Sequence, residues 1–107
     1  MENYQGIEWY YLPSEEELEE RKQSTMSRKY EGYIYEQNCY FGGWQTKYRF
    51  ENGYGASVIN HNDSYELELG VLYDGKLDYS TPITSDVVGF IEDEEELDKL
   101  LQQIKEL

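Results

Sequence analysis

One cysteine, one histidine, two prolines and nine basic residues are all that this chain of 107 residues holds of those types, and each shortage excludes a class of protein. A lone cysteine, Cys39, rules out an intrachain disulfide and a zinc site of the paired Cys/His kind. With so few Lys and Arg, set against 23 acidic residues for a net charge of -14, direct binding to a nucleic-acid backbone is excluded as an expectation. The same charge disfavours anionic lipid head groups, and no apolar run approaches the roughly 20 residues that a bilayer-spanning helix needs. The start of the chain lacks the basic residues and apolar core of a secretory leader, so the expected location is the cytoplasm. There is no Walker loop, nucleophile elbow or dinucleotide fingerprint, and no catalytic residue, metal site or cofactor is expected.

Aromatic residues are plentiful: 12 Tyr, 3 Phe and 2 Trp. The high charge alone resembles the composition of a disordered polymer, but rings that can be buried argue for a folded chain. Its length suits one domain, read as residues 1–107. Residues 1–43 form an aromatic arm, an acidic helix and a strand, and residues 44–107 form hairpins and a C-terminal helix.

Tyr4 to Leu12 reads as a short strand or docked arm ended by Pro13. Ser14 with Glu17 has the spacing of a capping box, and acids at the start with Arg21 and Lys22 later predict a solvated helix over about Glu15 to Met26. Tyr30 to Glu36 reads as a strand and Asn38 to Gly43 as a loop. Trp44, Thr46, Tyr48 and Phe50 alternate with Gln45, Lys47, Arg49 and Glu51, the mark of a half-buried strand. Asn52-Gly53 predicts a hairpin turn, and a bulged loop would place Ala56 and Val58 beside Tyr48 and Phe50. A second hairpin is expected from Tyr65 to Tyr79, turning at Asp74-Gly75, with Tyr65, Leu67, Leu69 and Val71 on one face. A helical turn after Ser85 would use Val87, Val88, Phe90 and Ile91 as core contacts. Leu97, Leu100, Leu101, Ile104 and Leu107 follow helical spacing behind the cap candidate Asp93. The expected fold class is α+β: an antiparallel sheet of hairpins, a C-terminal helix packed on one face, and a peripheral N-terminal acidic helix.

Cys39 and His61 fall on different loops and read as ordinary loop residues rather than a nucleophile and its base. Asn60 to Asp63 offers ligand atoms but lacks the glycine and later glutamate of a calcium loop. Asn62-Asp63-Ser64 matches a glycosylation sequon without the leader that would make it meaningful. The informative features are two acidic runs, Glu15 to Glu20 and Glu92 to Asp98. Residues 1–53 carry a net charge of -4 and residues 54–107 a net charge of -10. The residues singled out for partner binding are Trp9, Tyr10, Tyr11, Glu15, Glu16, Glu19 and Glu20, together with Glu94, Glu95 and Asp98. Carboxylates at helix starts also arise for solubility and dipole reasons alone, so charge by itself is compatible with a purely solubilising role.

The segments Arg49-Phe50-Glu51-Asn52-Gly53-Tyr54-Gly55-Ala56-Ser57-Val58-Ile59, Ser64-Tyr65, Glu68-Leu69-Gly70-Val71-Leu72 and Tyr79 to Phe90 resemble small acidic accessory proteins encoded by tailed phages and prophages. Residues 1–43 lie outside the resemblance, and Glu66 stands where a glycine-containing loop is expected. The resemblance implies an accessory factor acting in a host cytoplasm. By analogy its concrete form is an anti-CRISPR or anti-restriction inhibitor, a DNA mimic that binds a basic host protein such as a CRISPR effector or restriction nuclease. The alternative is a phage accessory protein that binds a small ligand or self-assembles, a homodimer being one form, with charge serving solubility.

Overall fold

The computed structural model describes residues 12–107. Within them lie α1 (Glu15–Ser24), a single 3-10 turn (Glu31–Tyr33), β1 (Ile34–Tyr40), β2 (Gly43–Arg49), β3 (Tyr54–Asn60), β4 (Glu68–Tyr73), β5 (Lys76–Leu77) and α2 (Glu94–Lys105). The strands form one antiparallel five-stranded meander in sequence order, and the fold is α+β.

The alternation expected of β2 decides which face is covered. Thr46, Tyr48 and Phe50 are buried with Ala56, Val58, Leu69 and Val71 from the next two strands. Thr46 pairs with Val58 and Tyr48 with Ala56, so the β2–β3 connection is the bulged kind. Glu51, Asn52 and Gly53 make its loop, closed by Phe50 N–H donating to the Tyr54 carbonyl at 2.8 Å, with Gly53 at φ 88. A side chain is strained at that φ, which is why the turn takes glycine.

α2 begins at Asp93, whose carboxylate accepts the Glu96 N–H at 2.9 Å. Leu97, Leu101 and Ile104, at helical spacing, are wholly buried against the sheet. The β2–β3 turn also holds the far end of this helix. The Asn52 side-chain amide lies 3.0 Å from the Ile104 carbonyl and 3.1 Å from that of Lys105, two of the last four carbonyls, which the regular i to i+4 ladder leaves unpaired at a helix C-terminus.

α1 lies on the same face but is attached differently. Its capping box is complete, with Glu17 N–H donating to Ser14 Oγ at 3.1 Å and Ser14 N–H to Glu17 Oε1 at 3.2 Å. None of its residues is buried. Polar contacts hold it: Arg21 donates to the Gly42 carbonyl and to Asn62 Oδ1, and Asn60 donates to Ser24 Oγ at 2.9 Å. Below it the Tyr48 hydroxyl donates to the Thr25 carbonyl at 2.7 Å and accepts the Ser27 N–H at 2.8 Å. Ser27 Oγ in turn donates to Asp98 of α2 at 2.5 Å, joining both helices to the sheet. Burial holds the Tyr48 phenol well above its ordinary pKa of 10.0.

Several local expectations are corrected. β1 runs through Tyr40, and only Phe41 and Gly42 form its turn, both at positive φ, where a loop from Asn38 to Gly43 was expected. The two-residue loop matches the strand twist and extends the ladder. β4 starts only at Glu68, and Tyr65 is exposed rather than part of the inner face. No helical turn follows Ser85. Val88 is instead extended and bridges Leu69, with N–H to carbonyl bonds of 2.8 and 2.9 Å in the two directions. Those bonds complete the β4 edge beyond the two-residue β5. The left-handed backbone at Phe90 breaks the alternation that would set it beside Val88, so Ile91 turns inward, Phe90 turns outward, and Phe90 is not a core contact.

Candidate acidic cleft

A cleft of about 530 Å³ opens between α1 and the chain entering α2. Its apolar lining comes from Met26, Leu67 and Ile91, and around these stand Glu19, Glu20, Glu66, Glu92, Asp93 and Glu94. The two acidic runs, far apart in sequence, therefore meet at one place. Three causes bring them together: α1 is held over β2, the β3–β4 loop carries Glu66 beneath it, and Ile91 N–H donates to the Leu67 carbonyl at 2.9 Å to fix the approach to α2.

The carboxylates differ in what they already do. Asp93 caps α2, and Glu94 accepts the Arg28 N–H at 2.8 Å with the Arg28 guanidinium 3.5 Å away. Glu19 accepts a bond from Gln23 at 2.7 Å. Glu20, Glu66 and Glu92 have no side-chain hydrogen bond or ion pair among the described residues, so their charge faces the cleft and solvent uncompensated. Among the described residues no three His, Cys, Asp or Glu side chains converge closely enough to hold a metal ion. The arrangement is a ring of separated negative charges around an apolar floor. It suits an extended cationic side chain with an aliphatic stem, such as Lys or Arg.

Beside the cleft residues Glu66 and Ile91 in the chain stand Tyr65 and Phe90. Their rings are 5.9 Å apart and tilted by 31°, and they are 60% and 62% exposed. The backbone presents them under strain: Glu66 and Phe90 both sit at φ 55, a left-handed conformation that non-glycine residues rarely adopt. Phe90 N–H donates to the Tyr65 carbonyl at 2.8 Å, locking the pair. Gly89 is required beneath them, since a Cβ there would stand 2.7 Å from that of Tyr65.

Of the residues singled out from sequence, Glu19, Glu20 and Glu94 line the cleft, while Glu15 and Glu16 lie one turn earlier on α1, outside it. Glu95 and Asp98 line another side of α2 with Lys29 and Lys99, where Asp98 is engaged with Ser27. Trp9, Tyr10 and Tyr11 lie outside the described residues. Sequence reasoning did not single out Glu66, Tyr65 and Phe90 as a surface. The chain carries no local signal for it, since Tyr65 and Phe90 have the composition of core residues and a non-glycine residue such as Glu66 does not announce a positive φ.

A second cluster lies at the β1–β2 turn, where the His61 ring is 5.1 Å from Tyr40 and 5.6 Å from Phe41. His61 Nδ1 accepts the Asp63 N–H at 3.0 Å, so the neutral ring is the form the loop uses. Desolvation lowers its pKa below 6.5, with Arg21 acting in the same direction and Asp63 and Glu68 opposing. The unfolded chain therefore binds the extra proton first. The His61 contribution should be constant above the unfolded pKa and become unfavourable as pH falls through about 6.5, levelling off below the folded pKa. Urea midpoints between about pH 7.5 and 5.5 should fall in the wild type and fall less in His61→Gln. Equal slopes would show that the ring is not desolvated in the fold.

No protein-family model, curated protein or solved structure matches this chain. No helix among the described residues is long and apolar enough to cross a membrane.

Proposed function

We propose that this protein acts by binding rather than by catalysis, capturing a basic segment of a partner protein in the acidic cleft. The observation that carries this reading is the convergence of Glu20, Glu66 and Glu92, all without partners, around the floor of Met26, Leu67 and Ile91. Carboxylates already grouped at one site attract a cation without the cost of assembling them at the moment of binding. The exposed Tyr65 and Phe90 add the apolar anchor that charge alone lacks, since aromatic contacts contribute much of the affinity at interfaces.

The concrete form of the proposal is an anti-defence inhibitor of the phage type. Its partner would be a nucleic-acid-binding nuclease, a CRISPR effector or restriction enzyme whose Lys/Arg-lined channel the cleft engages. The resemblance described above supplies the class of partner, and the cleft supplies the mechanism.

Titration of such a nuclease with this protein should inhibit cleavage, excess DNA or guide RNA should compete, and the inhibition constant should weaken steeply with salt. Inhibition that is flat with salt and indifferent to competing nucleic acid would remove the electrostatic mechanism. An absence of any inhibition across both nuclease classes would remove the anti-defence form.

A further inference from the structure

The sheet ends in two unlike edges. On one side β4 is bordered by β5 and by the bridge at Val88. On the other side β1 is a seven-residue edge strand with nothing beyond it among the described residues. Because Phe41 and Gly42 form a two-residue turn, the flanking pair Tyr40 and Gly43 is hydrogen-bonded, and the pattern alternates from there. Tyr40, Asn38 and Glu36 direct their backbone groups to β2, while Cys39 and Gln37 direct theirs outward. By that alternation neither is in a hydrogen-bonded pair with β2, and no backbone bond outside the strand ladders reaches either among the described residues.

Edge strands of this length are usually protected by proline, by lysine or by a bulge. β1 has neither of the first two, and its single irregularity, between Ile34 and Glu36, leaves Glu36 to Tyr40 regular. From this edge we infer that a second copy of the chain adds to it, β1 against β1, about a two-fold axis at Asn38.

In that register Gln37 of each copy exchanges backbone bonds with Cys39 of the other, Asn38 faces Asn38, and Glu36 faces Tyr40. The one charge on the strand never meets a like charge, so the segment is complementary to itself as a two-fold requires. The surroundings favour the pairing as well. The acidic cleft lies at the β3–β4 end of the sheet and α2, whereas β2, the neighbour of β1, carries Lys47 and Arg49, with Glu36 bound to Lys47 at 3.4 Å. On β1 and β2 together one acid stands against two bases, so the strands at this edge do not themselves add to the repulsion expected from a total charge of -14. The outcome is a continuous ten-stranded sheet with its two clefts on the outer flanks, and it stands whether or not the cleft binds a basic partner.

Sedimentation under reducing conditions should show a monomer of 12.8 kDa at high dilution, passing to twice that mass at NMR concentrations. Over the same range the Gln37 and Cys39 amides should slow in hydrogen exchange by at least about tenfold, while those of Glu36 and Asn38 stay protected throughout. Cys39→Pro, which removes an outward N–H and no inner bond, should remain monomeric with the circular dichroism of the wild type. A monomer at every concentration, a dimer whose Gln37 and Cys39 amides exchange freely, or a Cys39→Pro dimer would overturn the inference. Since exchange is read on the wild-type chain, a misfolded variant does not remove the test.

Discussion

Glu20→Lys, Glu66→Lys and Glu92→Lys combined should weaken capture of a basic partner by more than about a hundredfold while leaving the fold in place. None of the three side chains makes a hydrogen bond or ion pair among the described residues, so reversal removes no internal contact. Each reversal turns attraction into repulsion at a solvated rim. At about 1 kcal/mol per charge the three sum to about 3 kcal/mol, beyond two decades in dissociation constant. The matched control is Glu15→Lys, Glu16→Lys and Glu95→Lys, which changes net charge by the same about six units on residues outside the cleft. That set should lose less than about tenfold in affinity, with about 0.3 to 1 kcal/mol of helix stability lost at the α1 N-terminus. Isothermal titration of both sets at two salt concentrations decides the matter. Equal losses would mean that net charge, not the cleft, attracts the partner. Tolerance of both would leave an aromatic contact through Tyr65 and Phe90 as the better account.

Tyr48→Phe should cost about 2 to 6 kcal/mol, a large share of the 5 to 15 kcal/mol that an ordinary domain possesses. The ring stays, so no cavity forms, and the loss comes from two backbone groups. The Ser27 N–H and the Thr25 carbonyl, both on buried residues, are satisfied only by the Tyr48 hydroxyl among the described residues. A buried donor or acceptor left alone costs about 1 to 3 kcal/mol, more than the bond contributed while intact. Tyr30→Phe is the comparison: its hydroxyl donates at 2.9 Å to the exposed Gln102 amide, which water can replace, and about 1 kcal/mol or less is expected. The reading is the urea midpoint at unchanged slope. Similar small shifts in both variants would show that water enters the Tyr48 site.

Both results bear on α1. A helix with no buried residue is positioned by Arg21, Ser24 and the 25–27 segment rather than by an apolar stripe. Loss of the Tyr48 contacts should therefore loosen α1 first, and with it the Glu19–Glu20 side of the cleft. Partner affinity and global stability are expected to fall together in Tyr48→Phe, whereas the cleft reversal separates them.

The sequence by itself determined the elements whose signals are local. The Ser14–Glu17 capping box, the alternation of Trp44 to Phe50, the Asn52-Gly53 and Asp74-Gly75 turns and the leucine spacing of α2 each depend on neighbours a few residues away. Each appears where such neighbours dictate. That α2 would cover the sheet followed from two apolar faces that need burial. The bulged register of the first hairpin followed from the same need.

What only the tertiary structure decided is everything that depends on contacts between distant segments. Tyr65 and Phe90 have the composition of core residues, yet the bridge of Val88 to Leu69 and the left-handed backbone at Glu66 and Phe90 turn their rings outward. The acidic runs are visible in the chain, but nothing local divides Glu20 and Glu92 from Glu16 and Glu95. That division arises because α1 is clamped across β2 and the segment before α2 is tied to Leu67. A charge acts over a few ångströms of space, and the distance from Glu20 to Glu92 along the chain carries no information about that separation.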